Sequence, residues 1–335
     1  MNKWYMNPGE QDDIVISTRI RLARNLDDFL FPSKLDAATK TQIGGIIKDA
    51  LDGCEPALNF TDMSALSHLQ AVSLAERHII SPEFTVQAEG TGLLLSEDES
   101  VSIMLCEEDH IRLQVMKPGL DLDGAYEEAD SIDNKVDGKV NYAFDDGIGY
   151  LTSSPSNLGT AMRASVFLHL PALTENGRIS DLANTVSKLG LSISGVYGKR
   201  SSPIGDIYQI SNRLTLGITE QTAISNLQSI VMQLIAQEKT SAQRLLEDTA
   251  GQDRVFRALG ILKNARVLGG TEFMQLISLV RCGVAGGLID IPIEKINTLI
   301  IEMQPATLSV TNSSIETVAQ RDIARAEAVR NSLSQ

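Results

Sequence analysis

Residues 106–112 read Cys-Glu-Glu-Asp-His-Ile-Arg, and this stretch decides how the middle of the chain is interpreted. It places three adjacent carboxylates and an arginine between two apolar segments, 101–105 and 111–116. The second segment alternates apolar and polar residues with a period of two, which is typical of a half-buried strand. If the run itself stays extended, Glu108, His110 and Arg112 share one face. The alternative, a solvated turn that carries a salt bridge, stays open on this stretch alone.

A second candidate site for anions is the segment Ser17-Thr18-Arg19-Ile20-Arg21, which follows the strand-like residues 14–16. On a strand, Arg19 and Arg21 point to the same side. Two guanidinium groups beside hydroxyl groups suit a polyphosphate, because arginine binds phosphate oxygens bidentately. The alternative is a basic surface strand that pairs with Asp12, Asp13 or Asp27.

A third candidate is the segment 157–166, which follows the turn-like Ser-Ser-Pro-Ser of residues 153–156. The pattern predicts a capped helix that begins near residue 160 and runs to Pro171. Arg163 would lie within its first two turns, where free backbone N–H groups and the helix dipole favour anions.

In this order, these segments resemble the ATP:guanidino phosphotransferases, the family of creatine and arginine kinases. The matching strings are STRIRLARN (17–25), CEEDHIR (106–112), SPSNLGTAMRASV (154–166) and IYQISNRLTLG (207–217). The resemblance covers most of residues 12–250. It implies an α/β (α+β) catalytic domain, with a largely antiparallel sheet flanked by helices, that transfers a phosphoryl group from ATP to a guanidinium nitrogen.

Two features make the chain similar to the bacterial protein-arginine kinases within that family. The kinases of free creatine or arginine carry a helical domain before the first arginine motif, which here begins at residue 17. The chain also continues past residue 250 and contains Arg321-Asp322-Ile323-Ala324-Arg325-Ala326. This string resembles the RDxxRA motif of a phosphoarginine pocket, in which both arginines face one anion and Asp322 orients Arg325. The alternative is a salt-bridged surface helix.

The resemblance implies a role for individual residues. Glu108 would be the catalytic base, and Glu107, Glu108 and Ser154 would contact the substrate guanidinium. ATP would be held with Mg²⁺ bridging its phosphates and no direct protein ligand to the metal. The residues placed at ATP and its phosphates are Ser17, Thr18, Arg19, Ile20, Arg21, His78, Arg112, Arg163, Ala164, Ser165, Val166, Phe167, Ser194, Gly195, Val196, Tyr197, Gly198 and Lys199. The phosphoarginine pocket would comprise Arg321, Asp322, Arg325 and Ala326. For His78, a purely structural role is the alternative.

The chain departs from the family where departures matter. Ser154 stands where many members have cysteine, and a hydroxyl supplies hydrogen bonds but no charge. Ser194 replaces an arginine, and Lys199 replaces a glutamate, of the protein-arginine kinases. A cation beside a guanidinium substrate weakens its binding by repulsion. A second hypothesis is therefore a weakened or inactive homologue that acts as a phosphoarginine-binding scaffold. A kinase of free guanidines is a third, disfavoured by the RDIARA string.

Periodicity predicts several elements along the chain. Strands are predicted at 101–105, 111–115 and 207–210, and helices at 160–170 and 180–189. From Thr219 onward the pattern is helical, and the apolar residues over 224–235 recur at the three-and-four spacing of an amphipathic helix.

Composition completes the expectations. The chain has 335 residues, 43% of them hydrophobic, which is enough for a large core in more than one domain. We expect a catalytic domain at 12–250 and a helical domain at 251–335, which the resemblance makes a dimerisation domain. The net charge of −14 argues against nucleic-acid binding and suits arginine-bearing protein substrates. With no signal sequence and no membrane span, we expect a cytoplasmic homodimer, with a possible activator or adaptor protein as a further partner. Residues 195–199 lack the first glycine of a P-loop.

Overall fold

The computed structural model describes residues 2–86, 88–199, 202–312 and 314–334, and only the backbone of residues 198, 199 and 202. In this part of the chain, the strands are Val15–Arg24 (β1), Leu58–Asp62 (β2), Gly92–Ser96 (β3), Val101–Leu105 (β4), Ile111–Pro118 (β5), Phe144–Asp145 (β6), Gly149–Tyr150 (β7), Met162–His169 (β8), Leu191–Gly195 (β9), Gly198–Lys199 (β10), Ser202–Pro203 (β11) and Ile207–Asn212 (β12). Eight of them form one antiparallel sheet in the order β2-β3-β4-β5-β1-β8-β12-β9, and the other four form two small hairpins.

Helices cover one face of the sheet and make up the C-terminal part of the chain. They are Ala37–Ala50 (α1), His68–Glu76 (α2), Leu122–Asp137 (α3), Pro171–Glu175 (α4), Ile179–Lys188 (α5), Glu220–Glu247 (α6), Thr249–Asn264 (α7), Gly270–Ala285 (α8), Ile293–Glu302 (α9), Pro305–Thr311 (α10) and Val318–Ser334 (α11). The fold class predicted from the sequence is confirmed, as are the strands near 101–105, 111–115 and 207–210 and the helix near 180–189. The predicted division at residue 250 falls in the first turn of α7 and stays a prediction.

The two faces of the sheet differ in chemistry because strand residues alternate in direction. On one face, Ile20, Leu22, Ala164, Val166 and their neighbours join the main hydrophobic core with α1, α3 and α6. The opposite face of the central strands carries arginine, serine and glutamine side chains. Burial of the first face fixes the register, and the register in turn fixes which polar residues meet on the second.

The helix predicted over 160–170 is wrong, because residues 162–169 form strand β8 between β1 and β12. Ala164, Val166 and Leu168 alternate with a period of two and are fully buried. Pairing on both sides and burial of this face override the helix propensity of the segment. Before the strand, only residues 155–157 form a single 3₁₀ turn. Arg163 therefore lies on a sheet face and not at a helix N-terminus.

The run 106–112 does not stay extended, so the expectation that Glu108, His110 and Arg112 share a face is also wrong. Residues 106–110 form the connection between β4 and β5, and Cys106 has φ of +56°. His110 is buried, Glu108 is exposed, and Arg112 lies on β5. The turn with a salt bridge, the alternative from sequence, describes the local backbone.

The C-terminal helices pack against the N-terminal part of the chain. Arg281 on α8 is completely buried; its Nη1 and Nη2 donate to the carbonyl oxygens of Asp13 and Asp12 at 2.9 and 2.6 Å, and its Nε donates to Asn297 Oδ1 at 2.9 Å. Glu76 of α2 accepts hydrogen bonds from the first backbone N–H groups of α10, at Ala306 and Thr307. Both contacts satisfy groups that would otherwise be buried without partners. Among the described residues, no helix has the length and apolarity needed to cross a membrane.

Candidate active site

The polar face of the sheet brings distant arginines into one row. Arg21 pairs in register with Gln114 of β5 and with Arg163 of β8. One row further along, Arg19 lies opposite Met116 and Ser165, and Arg112 of β5 lies opposite Ala23. Because directly paired residues point to the same side, four guanidinium groups share this face. The prediction that Arg19 and Arg21 point the same way is confirmed.

Two of the three arginines of β1, Arg19 and Arg21, have no counter-charge along their own strand, and Arg19 is buried whereas Arg21 is half-buried. The Nε atoms of both Arg19 and Arg21 are buried and make no hydrogen bond. Burial, with the charges of Arg112 and Arg163, lowers the pKa of Arg19 from its ordinary value to about 9. The pKa of Arg21 is lowered for the same reasons, with the Arg19 charge added. Asp13, one of the predicted acidic partners, pairs instead with Lys239. Such a concentration of buried positive charge fits a polyanion.

Three rings lie beside Arg19, at one end of the row of arginines. The Arg19 guanidinium lies 4.9 Å from the centre of the Phe167 ring, and the His78 ring lies 5.4 Å from Phe167 and 5.5 Å from Tyr197. His78 Nε2 and the Tyr197 hydroxyl are 3.1 Å apart and hydrogen-bonded. Burial and the charges of Arg19 and Arg21 lower the pKa of His78 to about 3, so its imidazole is neutral at physiological pH. Flat, uncharged rings beside a phosphate site suit a purine base.

Asp109 holds the loop of residues 106–110 in place. Its Oδ1 accepts hydrogen bonds from Asn25 Nδ2 and from the Ser153 backbone N–H, both at 2.7 Å. Asn25 Oδ1 in turn accepts from the His110 backbone N–H at 2.9 Å. His110 Nδ1 accepts from the Leu26 backbone N–H at 3.0 Å, so its Nε2 donates to the Leu30 carbonyl at 2.9 Å. Asp109, His110 and Asn25 lie within the sequence motifs, but their positioning role depends on these long-range contacts, which the motifs do not reveal.

Glu107 and Glu108 have opposite surroundings although they are neighbours. Glu107 is bonded to Arg112 Nη1 at 2.5 Å and to Ser81 Oγ at 2.6 Å. Burial tends to raise the pKa of Glu107, but the charge of Arg112 and these hydrogen bonds hold it below its usual value. Burial and the nearby charge of Asp109 raise the pKa of Glu108. Glu107 is therefore committed to holding Arg112, and Glu108 is the carboxylate with an elevated proton affinity.

A cavity of about 210 Å³ joins Glu108 to the arginine row. Its wall includes Arg21, Arg112 and Arg163 on one side and the loop with Ser154, Ser156 and Asn157 on the other. The Oγ atoms of Ser154 and Ser156 are 2.9 Å apart. Ser153 Oγ also donates to the Glu108 carbonyl at 2.7 Å, which ties this loop to the loop of the carboxylates. The cavity thus combines a carboxylate of raised proton affinity with three cations.

Comparison with known proteins agrees with this geometry. The model of the ATP:guanido phosphotransferase C-terminal catalytic domain matches residues 42–241, and the model of the protein-arginine kinase McsB C-terminal domain matches residues 249–335. The chain is 40% identical over 329 residues to the protein-arginine kinase of Caldanaerobacter subterraneus, covering 96% of this chain and 98% of that one. It is 41% identical over 340 residues to that of Geobacillus stearothermophilus, covering 99% of this chain and 94% of that one.

This chain belongs to the protein-arginine kinase family. The family resemblance and the prediction of an ATP-dependent protein-arginine kinase are thereby confirmed. Among solved structures, the duplicated taurocyamine kinase of Schistosoma mansoni with bound transition state analog components is similar, with a TM-score of 0.62 and 26% identity. The match covers 70% of this chain and 34% of that duplicated kinase. Lombricine kinase shares the fold, with a TM-score of 0.60 over 68% of this chain and 67% of that one.

Some of the residues predicted to bind ATP do not lie on the polar face of the sheet in this protein-arginine kinase. Ile20, Ala164 and Val166 point into the hydrophobic core. Thr18 lies on the same face as Ile20, and its Oγ1 donates to the Gly119 carbonyl at 2.8 Å. The polar face carries Ser17, Ser165, Phe167 and Ser194, through the pairs Ser17–Phe167, Phe167–Gln209 and Gln209–Ser194. Gly195 ends β9, Val196 and Tyr197 follow it, and Gly198 begins the hairpin β10–β11. The structure describes only the backbone of Lys199, so the prediction for its side chain lies outside the described part of the chain.

The string that resembles the family's phosphoarginine motif lies on α11 and lines a second cavity, of about 360 Å³. Arg325 is almost completely buried; its Nη1 donates to Asp322 Oδ1 at 2.7 Å and to the Leu268 carbonyl at 2.8 Å, and its Nε donates to the Met303 carbonyl at 3.0 Å. Asp322 therefore orients Arg325, as expected. Arg321 and the first residues of α8, at 270 and 271, line the same cavity. Ala326 is buried against the core beneath it.

Proposed function

We propose that this chain transfers the γ-phosphoryl group of ATP to arginine side chains of proteins. The observation that carries the proposal is the cavity in which Glu108 faces Arg21, Arg112 and Arg163. It brings together the two groups that the reaction requires, a base for a guanidinium and a set of cations for phosphate oxygens. Family membership supports the same reaction.

Glu108 is the proposed catalytic base. A protonated guanidinium is a poor nucleophile, because its pKa lies above 12. The raised pKa of Glu108 suits it to accept the proton that one guanidinium nitrogen loses as the new N–P bond forms. The bond between the γ-phosphorus and its bridging oxygen breaks at the same time, and ADP leaves. Ser154, in the opposite wall of the cavity, would hydrogen-bond the guanidinium.

The arginine row is the proposed phosphate site. The unpartnered Nε atoms of Arg19 and Arg21, and the lowered pKa values of both, fit a polyanion, which returns counter-charge to buried cations. Glu107 holds Arg112 in place and so acts as a positioning residue. The base of ATP would lie against His78, Phe167 and Tyr197. Mg²⁺ would be held by the phosphates of the nucleotide and would lower the charge repelling the incoming nitrogen.

The finer assignments rest on the same family argument. We propose that the cavity at Arg321 and Arg325 binds phosphoarginine, that the protein acts in the cytoplasm as a homodimer, and that it serves protein quality control during stress. Acceptor proteins bearing arginine are its partners, together with an activator or adaptor. A scaffold without catalysis is the competing function, and it is favoured by the replacements at Ser154, Ser194 and Lys199.

The deciding experiment measures transfer from radiolabelled MgATP to an arginine-rich protein and, in parallel, to free L-arginine. An N–P bond is acid-labile, whereas a serine ester survives acid. We expect acid-labile label on the protein, lost in Glu108→Gln and retained in Glu83→Gln, a control that replaces an exposed carboxylate near Glu108 outside the cavity wall. No transfer to either acceptor, from folded protein that still binds phosphoarginine, would favour the scaffold.

A further inference from the structure

A groove of about 340 Å³ exposes large apolar side chains next to the active site. Phe144 is 52% exposed, Ile148 41% and Leu216 54%. The first two belong to the hairpin β6–β7 and its turn, and Leu216 lies on the segment that follows β12. Large apolar side chains clustered in water mark surfaces that bind another molecule. We call this feature the hairpin groove.

The hairpin that carries the groove is held rigidly. Asp145 Oδ1 accepts hydrogen bonds from the backbone N–H groups of Gly147 at 2.8 Å and Ile148 at 3.1 Å. The Phe144 ring packs edge-on against Tyr150, whose ring lies 3.5 Å from the guanidinium carbon of Arg24. Arg24 is itself buried in an ion pair with Asp133 at 2.8 Å. The exposed side chains are thus presented by a fixed scaffold, which lowers the entropy cost of binding.

The groove lies beside the catalytic cavity. Asn157 lines the cavity and Gly159 lines the groove, so these two residues of the walls are at most about 7 Å apart along the chain. Thr215, which lines the groove, ties the two walls together: its Oγ1 donates to the Ser156 carbonyl at 3.0 Å, and its carbonyl accepts from the Thr160 N–H at 3.0 Å. A side chain at Gly159 would meet the Thr215 carbonyl at 2.2 Å, so these segments are in direct contact.

The charge of the groove identifies its occupant. Glu220 is the charged residue of its wall within the described chain, and Asp145 and Asp146 stand exposed on the hairpin beside it. A surface that is apolar at its centre and acidic at its rim complements an apolar segment that also carries cations. An acceptor chain whose arginine enters the cavity has this character.

From these observations we propose that the hairpin groove binds an apolar side chain of the acceptor protein, two or three residues away from the arginine that is phosphorylated. The inference rests on the proposed function. An extended chain advances about 3.3 Å per residue, so two or three residues span the separation of the two sites.

The test compares two sets of peptides, each with a single arginine. The sets differ only at the positions two and three residues before and after that arginine, which hold leucine in one set and serine in the other. The wild-type kcat/KM should be about tenfold higher for the leucine peptides, the effect of burying part of one side chain. The double variant Phe144→Ser, Leu216→Ser should lose this preference and keep its rate on the serine peptides. Phe60→Ser, which alters an exposed ring on the distant edge strand β2, should keep the preference.

The outcomes separate the inference from the function on which it rests. Equal kcat/KM for both peptide sets in the wild-type enzyme overturns the inference and leaves the kinase function intact. Absence of acid-labile label from every peptide refutes the function itself. Sedimentation of the same variants tests whether a second copy of the chain occupies the groove. If the wild type assembles, the double variant is dissociated and the leucine preference is unchanged, the groove belongs to a second copy and the inference is overturned. Should the double variant not fold, Leu216→Thr alone serves.

Discussion

Replacing Arg19 by methionine should stabilise the free protein while abolishing nucleotide binding. The residue is 7% exposed, its Nε has no partner, and burial beside Arg112 and Arg163 lowers its pKa from the ordinary range of arginine to about 9. That difference corresponds to about 5 kcal/mol, at 1.36 kcal/mol per pH unit. Methionine removes this cost but also the cation–π contact with Phe167, worth about 1 kcal/mol. We expect the free energy of unfolding to rise by about 2 to 4 kcal/mol at pH 7.

The sign follows from proton linkage. Folded Arg19 releases its proton more readily than unfolded Arg19, so the unfolded state binds more protons between about pH 9 and the ordinary pKa of arginine. The stability of the wild type should rise with pH as it passes through 9, and the Arg19→Met variant should lack this rise. The destabilisation is fully present below pH 9.

Urea unfolding at pH 7 and pH 10, with and without MgADP, measures both effects. Phosphate and sulfate buffers must be avoided, because these anions would occupy the site. MgADP should stabilise the wild type and leave Arg19→Met unchanged. Arg257→Met is the control, because its side chain is 74% exposed and its ion pair with Asp253 contributes little. A variant that is less stable than the wild type, or that MgADP still stabilises, would refute the reasoning.

Three further predictions concern other groups of the two cavities. Burial and the charge of Asp109 raise the pKa of Glu108, so the rise of kcat/KM with pH should occur above the pH range in which an ordinary glutamate titrates. Asp109→Asn should move this rise to lower pH. Ser154→Cys should raise kcat/KM for arginine substrates about tenfold, because a thiolate adds a negative charge beside the guanidinium; an unchanged KM would count against that role. Arg325→Ala should abolish phosphoarginine binding measured by calorimetry, while the basal rate of ATP-dependent transfer stays within about twofold; unchanged affinity removes Arg325 from the pocket.

The sequence predicted the parts of the site that depend on local pattern. Alternation along β1 was enough to place Arg19 and Arg21 on one side, and the three-and-four spacing of apolar residues was enough to identify α6. Whether a residue faced the nucleotide or the core depended on pairing between strands, which a single sequence does not reveal. For this reason Thr18, Ile20, Ala164 and Val166 were included in a site that their side chains face away from.

The helix predicted over 160–170 is wrong for a related reason. Its alanine, methionine and leucine residues favour a helix, and only the neighbouring strands β1 and β12 make it a strand. The positioning role of Asp109 was hidden as well, because its partners Asn25 and Ser153 lie far away in sequence. The order of the motifs identified the family, whereas long-range contacts determined the roles of individual residues.

The anchor at Arg281 has a consequence for how this protein is divided and inherited. The guanidinium of a C-terminal helix satisfies the backbone of Asp12 and Asp13, at the start of the catalytic sheet. A fragment cut at the family boundary near residue 249 would leave these carbonyls bare on one piece and a buried cation exposed on the other. The two family segments are therefore joined by buried hydrogen bonds, and we expect a chimera that takes one segment from a relative to unfold more easily than either parent.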